Sequence, residues 1–428
     1  MQLPKRRMFL QDARLALTAA NFPQQTITVP LPRAWPIEYV DVICTVVVTA
    51  GAPLGAAITH GLINLLRRAK VEVTDDSGPR TVMNVTGPGV LQLNVNEGTN
   101  LDRGTWSAIA DSRQALVPGT AVYQITYRLN FVHPAIVGAL RPRMLLPVHL
   151  HPQDPILTLD FEAAANIHTT ANPFSAATVE VVIHQREIPR NFAMAINKDS
   201  GGNPLRWFLR SDVVETQNAI ANGTTGEQRF TIPAPGQYSG LAIYHIQGGA
   251  ALALADISQA VRSTAGAGAG AETKWTLESG GNVIHAFRMK HARVDNDFTR
   301  ANLELKRGLS HLIINRDANG LNTNAAAAAQ NTQPLYNLGP NFGGAATAGV
   351  AEQDPSSIYL DFLTDGQVDA GELGSLLDCN LPVATGLKME LVGNVNAPAG
   401  ANGSQVNLVG RRFFDDLTPW QTLAKLAA

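Results

Sequence analysis

Two histidines one residue apart, His149 and His151, are the side chains best suited to hold a metal. Alternate residues of an extended chain point the same way, and Asp154 or Glu162 follows closely enough to complete a ligand set. Pro147 and Pro152 flank the pair and give it the character of a loop, so solvated loop histidines are expected rather than ligands. A second constellation, Asp361, Asp365, Gly366, Asp369 and Glu372, falls on the first, fifth, sixth, ninth and twelfth places of a calcium-binding loop. Leu363 fills the third place and no helical pattern flanks the run, so turn carboxylates are expected there. Asp295-Asn296-Asp297 has ordinary turn chemistry. Gly266-Ala267-Gly268-Ala269-Gly270 lacks the lysine and hydroxyl residue of a phosphate loop and is simple low complexity. No serine elbow or Cys/His nucleophile pattern is present. The expectation is a chain with no cofactor, no metal and no catalytic residues.

Charge narrows the partners. Lys and Arg number 33 against 35 Asp and Glu, for a net charge of −2, so no basic field covers the molecule and sequence-specific nucleic-acid binding is not expected. Lys5, Arg6 and Arg7, with Arg14 nearby, form one basic cluster. It could face anionic lipid or a packaged genome, at about 1 kcal/mol per charge near such a surface, or be a solvated terminus. Five tryptophans at positions 35, 106, 207, 275 and 420 are too scattered for a sugar platform and belong in cores or interfaces. The N-terminus lacks the apolar stretch of a secretory signal, no run is apolar enough to span a membrane, and two unmatched cysteines, Cys44 and Cys379, fit a reducing cytoplasm. Cys44 lies in an apolar run and is expected buried.

The elements are mostly short β-type runs: Thr26–Val29, Val40–Thr49, Lys70–Thr74, Val122–Phe131, Ile156–Phe161 and Thr178–His184. Further along come Phe230–Ile232, Gly240–Ile246, Trp275–Glu278, Leu309–Asn315, Ser357–Phe362 and Leu387–Gly393. Asp75-Asp76-Ser77-Gly78 and Glu278-Ser279-Gly280-Gly281-Asn282 are hairpin turns. Helical spacing occurs at Ile58–Arg68, Asp256–Val261 and Leu417–Leu426; Phe9 to Ala20 fits a helical stripe or an alternating strand equally. Ser263–Ala271 and Asn319–Gln333, rich in Ala, Gly and Asn, are expected to be long exposed loops.

These runs repeat. Arg7–Leu10, Ile27–Pro32, Gln153–Pro155 with its following Leu-Asp-Phe, and Val179–Val182 each have a counterpart about two hundred residues later, in the same order. The counterparts are Arg206–Leu209, Phe230–Pro235, Gln353–Pro355 with Leu360–Phe362, and Met389–Val392. A period this long marks a duplicated domain, since solenoid units run only ~20–50 residues. Strands spaced by about 8–12 residues in each copy make each half a sandwich or barrel. The organisation is an N-terminal segment over 1–24, a first β-domain over 25–200, a lead-in over 201–227, a second β-domain over 228–396 and a C-terminal segment over 397–428.

Two fused β-sandwich domains, with Val-Pro or Ile-Pro at the opening strand and long loops late in the second copy, resemble the double jelly-roll major capsid proteins of tailless icosahedral phages with an internal membrane and of related viruses. The resemblance implies an all-β chain of two tandem eight-stranded jelly rolls with few short helices, and a non-enzymatic, structural role. It further implies a homotrimer of six similar rolls tiling an icosahedral shell, contacts with neighbouring capsomers and minor or vertex proteins, an internal membrane approached by the N-terminal segment, and assembly in a host cytoplasm. The alternatives are a two-barrel enzyme of bicupin or glycan amidase type, in which His149 and His151 would bind metal, and a glycan- or receptor-binding surface protein.

Overall fold

The computed structural model describes residues 5–17, 26–48, 64–75, 78–97, 99, 122–134, 141, 144–162, 167, 174–187, 211–221, 224–233, 236–247, 253–255, 273–290, 293–295, 357–362, 376–379, 387–396 and 404–413. In the first half the strands are β1 Lys5–Leu17, β2 Thr26–Pro30, β3 Ile37–Val48, β4 Leu66–Asp75, β5 Gly78–Val85, β6 Val122–Asn130, β7 Ile156–Phe161 and β8 Phe174–Glu187, with helix α1 at Gly87–Asn96 between β5 and β6. They pair in the orders β1-β8-β3-β6 and β2-β7-β4-β5.

The second half holds β9 Ser211–Ile220, β10 Thr225–Thr231, β11 Gln237–Gln247, β12 Ala253–Ala255, β13 Thr273–Ser279, β14 Asn282–Lys290, β15 Arg293–Asp295, β16 Ser357–Asp361, β17 Leu377–Asp378, β18 Met389–Asn396 and β19 Ser404–Phe413. Its pairing repeats the first: β9-β19-β11, with β16 on the far edge of β11, and β10-β18-β13-β14. The short strands β12 and β17 extend that edge of β11, and β15 caps β14. Each half is therefore eight main antiparallel strands in two four-stranded sheets, the jelly-roll arrangement.

The elements follow from side-chain alternation. In β6, Tyr123, Ile125, Tyr127 and Leu129 are buried while Val122 and Gln124 face outward. In β7, Leu157, Leu159 and Phe161 are buried between half-exposed neighbours. Facing strands β3 and β8 add Val40, Val42, Cys44 and Val46 against Val179, Val181 and Ile183. The second core gathers Leu241, Ile243, Leu277, Leu391, Val406 and Leu408. Each such aliphatic side chain contributes about 1.5–3 kcal/mol on burial. Both expected hairpins form. Asp75 pairs with Gly78 across a two-residue loop. Ser279 pairs with Asn282 around Gly280 and Gly281, whose φ values of +57° and +82° are those of a type I′ turn.

Several expectations are corrected. Ile58–Arg68 is not helical throughout, because β4 starts at Leu66; Leu65 and Leu66 are apolar because the chain enters the core there. The segment 1–24 is no free arm over Lys5–Leu17, since β1 lies against β8 with Lys5, Arg6 and Arg7 opposite Glu187, Arg186 and Gln185. The lead-in 201–227 contains β9, and the C-terminal segment 397–428 contains β19, which runs between β9 and β11. Two of the sequence matches fall on strands that are not equivalent. β7 corresponds by pairing order to β18, not to β16, and β8 corresponds to β19, not to β18. Asp361 ends β16 across from Gly240 and so is not the counterpart of Asp160, which lies in β7 opposite Thr26. The segments 206–209, 256–261, 263–271, 309–315, 319–333 and 417–426 lie outside the described residues, as do Trp106, Trp207 and Trp420. Among the described residues, no helix is long and apolar enough to cross a membrane.

Candidate functional site at the roll junction

The two rolls meet along a joint built from chemically specific contacts. At its edge, β5 pairs in parallel with β9 through Met83↔Val213 and Asn84↔Val214, so the sheet of one roll continues into the sheet of the other. Helix α1 packs across the outer face of β11 and β19. Its Val90, Leu91 and Leu93 share one apolar cluster with Val213, Ala242 and Val409 of the second roll. Thr86 starts the helix: its hydroxyl accepts the Gly89 N–H at 3.2 Å, its carbonyl accepts the Val90 N–H at 2.9 Å, and Pro88 sits in the first turn, where its missing donor costs nothing.

Polar contacts fix the joint further. Glu215 of β9 accepts the Thr86 N–H at 2.6 Å, the Thr86 hydroxyl at 3.1 Å and the Asn407 side-chain amide at 3.1 Å. The second roll thus places a carboxylate at the positive end of the first roll's helix. Beyond the helix, Glu97 receives Arg411 of β19 in a two-pronged pair, Nε to Oε1 at 3.1 Å and Nη2 to Oε2 at 3.0 Å. The two side chains are 1% and 2% exposed, and His133 Nε2 stands 4.0 Å from Glu97 Oε1. The Ser211 hydroxyl donates to the Phe131 carbonyl at 3.2 Å. An ion pair this dry repays its desolvation only with matched geometry, which makes the joint intolerant of misalignment. Beside it lies an open polar cleft of about 410 Å³, with Arg67, Arg68, Asn84 and Glu162 from one roll and Gln217 and Gln405 from the other.

A second polar cluster covers part of the outer face of the β1-β8-β3-β6 sheet. Tyr39 stacks on His184 with ring centroids 4.1 Å apart, and the Arg128 guanidinium lies 4.2 Å over the same tyrosine ring. Arg128 donates to both oxygens of Asp41 at 2.7 and 2.9 Å, and His184 Nε2 is 3.2 Å from Asp41 Oδ2. Burial opposes ionisation of Asp41, but the hydrogen bonds from His184 and Arg128 outweigh it and hold the carboxyl below its usual range. Glu38 behaves alike: burial is outweighed by Arg186, at 2.6 Å, and Arg141, at 2.5 Å.

The residues singled out in sequence have other surroundings. His149 lies on a single 3-10 turn, Val148–Leu150, where burial and the neighbouring His151 lower its pKa. His151 is no solvated loop residue: it is 3% exposed, with Nδ1 2.8 Å from the Thr74 carbonyl. Asp154 is taken by Arg33 at 2.7 Å, and Glu162 is buried with its backbone N–H on the Leu65 carbonyl. Among the described residues, no group of three His, Cys, Asp or Glu side chains is placed to hold a metal. Asp365, Asp369 and Glu372 lie outside the described residues, and of Asp361 only the backbone pairing is described. Cys44 and Cys379 are both buried, and burial pushes the Cys44 thiol up. Sequence reasoning missed Thr86, Glu97, Glu215 and Arg411. Thr86 ahead of Gly-Pro-Gly is a readable helix start, and Arg411 closing an apolar strand is a readable sign of a buried partner.

No family model matches the chain, and no curated protein matches it in sequence. Solved structures do match it in shape. The PBCV-1 virus capsid superimposes with a TM-score of 0.53 at 8% identity, over 96% of this chain and 94% of that one. PBCV-1 VP54, fitted into a reconstruction of the virophage Sputnik, gives a TM-score of 0.53 at 10% identity with the same coverage. A protein from the atomic structure of Sulfolobus Turreted Icosahedral Virus aligns over 98% of both chains at 13% identity, with a TM-score of 0.49. The fold is the double jelly roll of viral capsid proteins, as the strand order of each half requires.

Proposed function

We propose that the chain is the major capsid protein of an icosahedral virus, acting as a structural tile rather than as an enzyme. The observation that carries the reading is the junction: two rolls of the same topology are locked into one block by a strand pair, a helix and a dry Arg411–Glu97 pair. A lattice tile gains from such a fusion, because two similar rolls per chain let threefold symmetry fill an approximately sixfold position. Three chains then form the tile, neighbouring tiles form the shell, and minor proteins close its vertices. The placement of Lys5, Arg6 and Arg7 within β1 makes a ladder role for that segment more direct than a membrane-reaching arm.

Obligate interfaces of this kind bury ~2,000–5,000 Å² and are mainly apolar, so they resist salt. Light scattering of the purified protein should give a mass near three times 45.6 kDa, unchanged when salt is raised to about 1 M. A stable monomer, or a dimer on a simple twofold axis, would refute the tile.

A further inference from the structure

We infer that the polar cleft beside the roll junction is a binding site for an acidic saccharide, with Arg67 and Arg68 holding a carboxylate of the sugar and side chains of both rolls holding its hydroxyls. The inference stands apart from the tile reading, since it needs only a single chain.

The two arginines owe their place to an irregularity in β4. Ala69, Val71 and Val73 of that strand are buried, so an unbroken alternation would turn Arg67 into the core. The ladder with β7 slips between Leu66, opposite Phe161, and Arg68, opposite Asp160, which leaves Arg67 as the extra residue of a bulge. Both arginines are therefore exposed although they are neighbours in sequence, and both line the cleft. The Asn84 side-chain carbonyl of β5 accepts a hydrogen bond from Arg68 Nε, which fixes the direction of that guanidinium. Among the described residues no carboxylate pairs with either arginine. Planar guanidinium forks match the two oxygens of a carboxylate and hold it by short, charge-assisted bonds.

The rest of the lining selects what carries that carboxylate. Glu162, just beyond β7, is buried and lines the cleft. Glu215 lines it too, but its oxygens already accept bonds from Thr86 and Asn407. Asn84 of the first roll and Gln217 and Gln405 of the second add amides. Carboxylates accept and amides both accept and donate, so this wall suits a ligand rich in hydroxyls. A nucleic-acid strand would bring phosphates towards Glu162, and two arginines make no basic track. An acidic peptide has the carboxylate but lacks the hydroxyls. The volume of about 410 Å³ lies within the ~300–1,000 Å³ of small-molecule sites and admits a short stretch of sugar chain. Among the described residues the lining holds no aromatic ring, so binding rests on charge and hydrogen bonds and weakens with salt.

The test is isothermal titration calorimetry of the full chain with galacturonic acid oligosaccharides, beside neutral galactose oligosaccharides, an oligoglutamate and single-stranded DNA. The galacturonate ligand should bind most tightly. Arg67→Gln and Arg68→Gln should each weaken it by about tenfold or more, the loss of a charge-assisted bond. Lys70→Gln, two residues along the same strand and tied to Glu72 at 2.7 Å, should leave binding unchanged. Gln217→Ala combined with Gln405→Ala should weaken it as well, because the sugar reaches the second roll. Circular dichroism checks that each variant folds. Absence of binding by the unmodified chain, undiminished binding by a variant lacking both arginines, or tighter binding of the oligoglutamate or DNA would each overturn the assignment. The tile reading is decided by mass and would survive any of these results.

Discussion

Replacing Glu97 by Gln should be among the most damaging single changes available to this chain. The perturbation removes one charge and almost no volume. It leaves the Arg411 guanidinium, 2% exposed and held by two bonds of 3.1 and 3.0 Å, without the carboxylate that pairs with it. Removing one member of a buried pair costs about 3–5 kcal/mol, because the survivor stays in a poor solvent. Against a total stability of about 5–15 kcal/mol that is a large fraction. For a cooperative unit of one roll, at roughly 2–4 °C per kcal/mol, the transition should fall by about 6–20 °C. The double variant Glu97→Leu with Arg411→Met removes both charges together and should recover most of the loss, since dry ion pairs are often replaceable by apolar packing. The assay is urea unfolding of Glu97→Gln beside the four proteins of the Glu97→Leu and Arg411→Met double-mutant cycle, with separate probes on each roll. A coupling of at least about 2 kcal/mol is expected. Because the pair bridges the rolls, the single variants should also split one unfolding transition into two. The reasoning fails if Glu97→Gln shifts the midpoint by less than about 1 kcal/mol, or if the double variant is as unstable as the sum of its parts.

Two other outcomes follow from geometry already given. Glu38 and Asp41 titrate below their ordinary ranges when folded, so their stabilisation is complete above the unfolded-state pKa and is lost as pH falls through the depressed folded values. The melting temperature should drop between about pH 5 and pH 2, and Asp41→Asn should flatten that slope; an identical slope in the variant would exclude Asp41 as a source. At the β13–β14 turn, Gly280→Val must adopt a left-handed backbone at about 1–2 kcal/mol. Its Cβ would also stand 2.8 Å from Leu387, so the urea midpoint should fall clearly, and an unchanged midpoint would contradict the type I′ assignment.

What could be read from sequence depended on how many faces of an element are buried. β6 and β7 have one wet face, so their alternation is plain and their bounds were nearly right. β19 is buried along both faces from Val406 to Arg411 and carries two arginines, so no period of two marks it. β9 is wet along its middle and offers too few apolar residues to stand out. α1 was hidden by Gly87, Pro88, Gly89, Val90 and Val95, all weak helix formers; contacts with both rolls hold it instead. The duplication was legible, yet the Gln-Asp-Pro and Val-Glu-Val-Val matches were short strand patterns that suit any half-buried strand, and they slid onto the wrong partners. The junction itself was illegible, because Glu97 and Arg411 are 314 residues apart and carry no local signal for each other.

The place of β19 in chain order has a consequence for synthesis. It is the last described strand of the second roll, yet it lies between β9 and β11, which are made far earlier. Until Ser404–Phe413 has left the ribosome, β9 and β11 have no neighbour on those edges, and Glu97 waits for its arginine. Contacts this distant in sequence form slowly. A nascent chain therefore has no finished joint until its second roll is nearly complete, and translation acts as a timer on the locking of the two rolls.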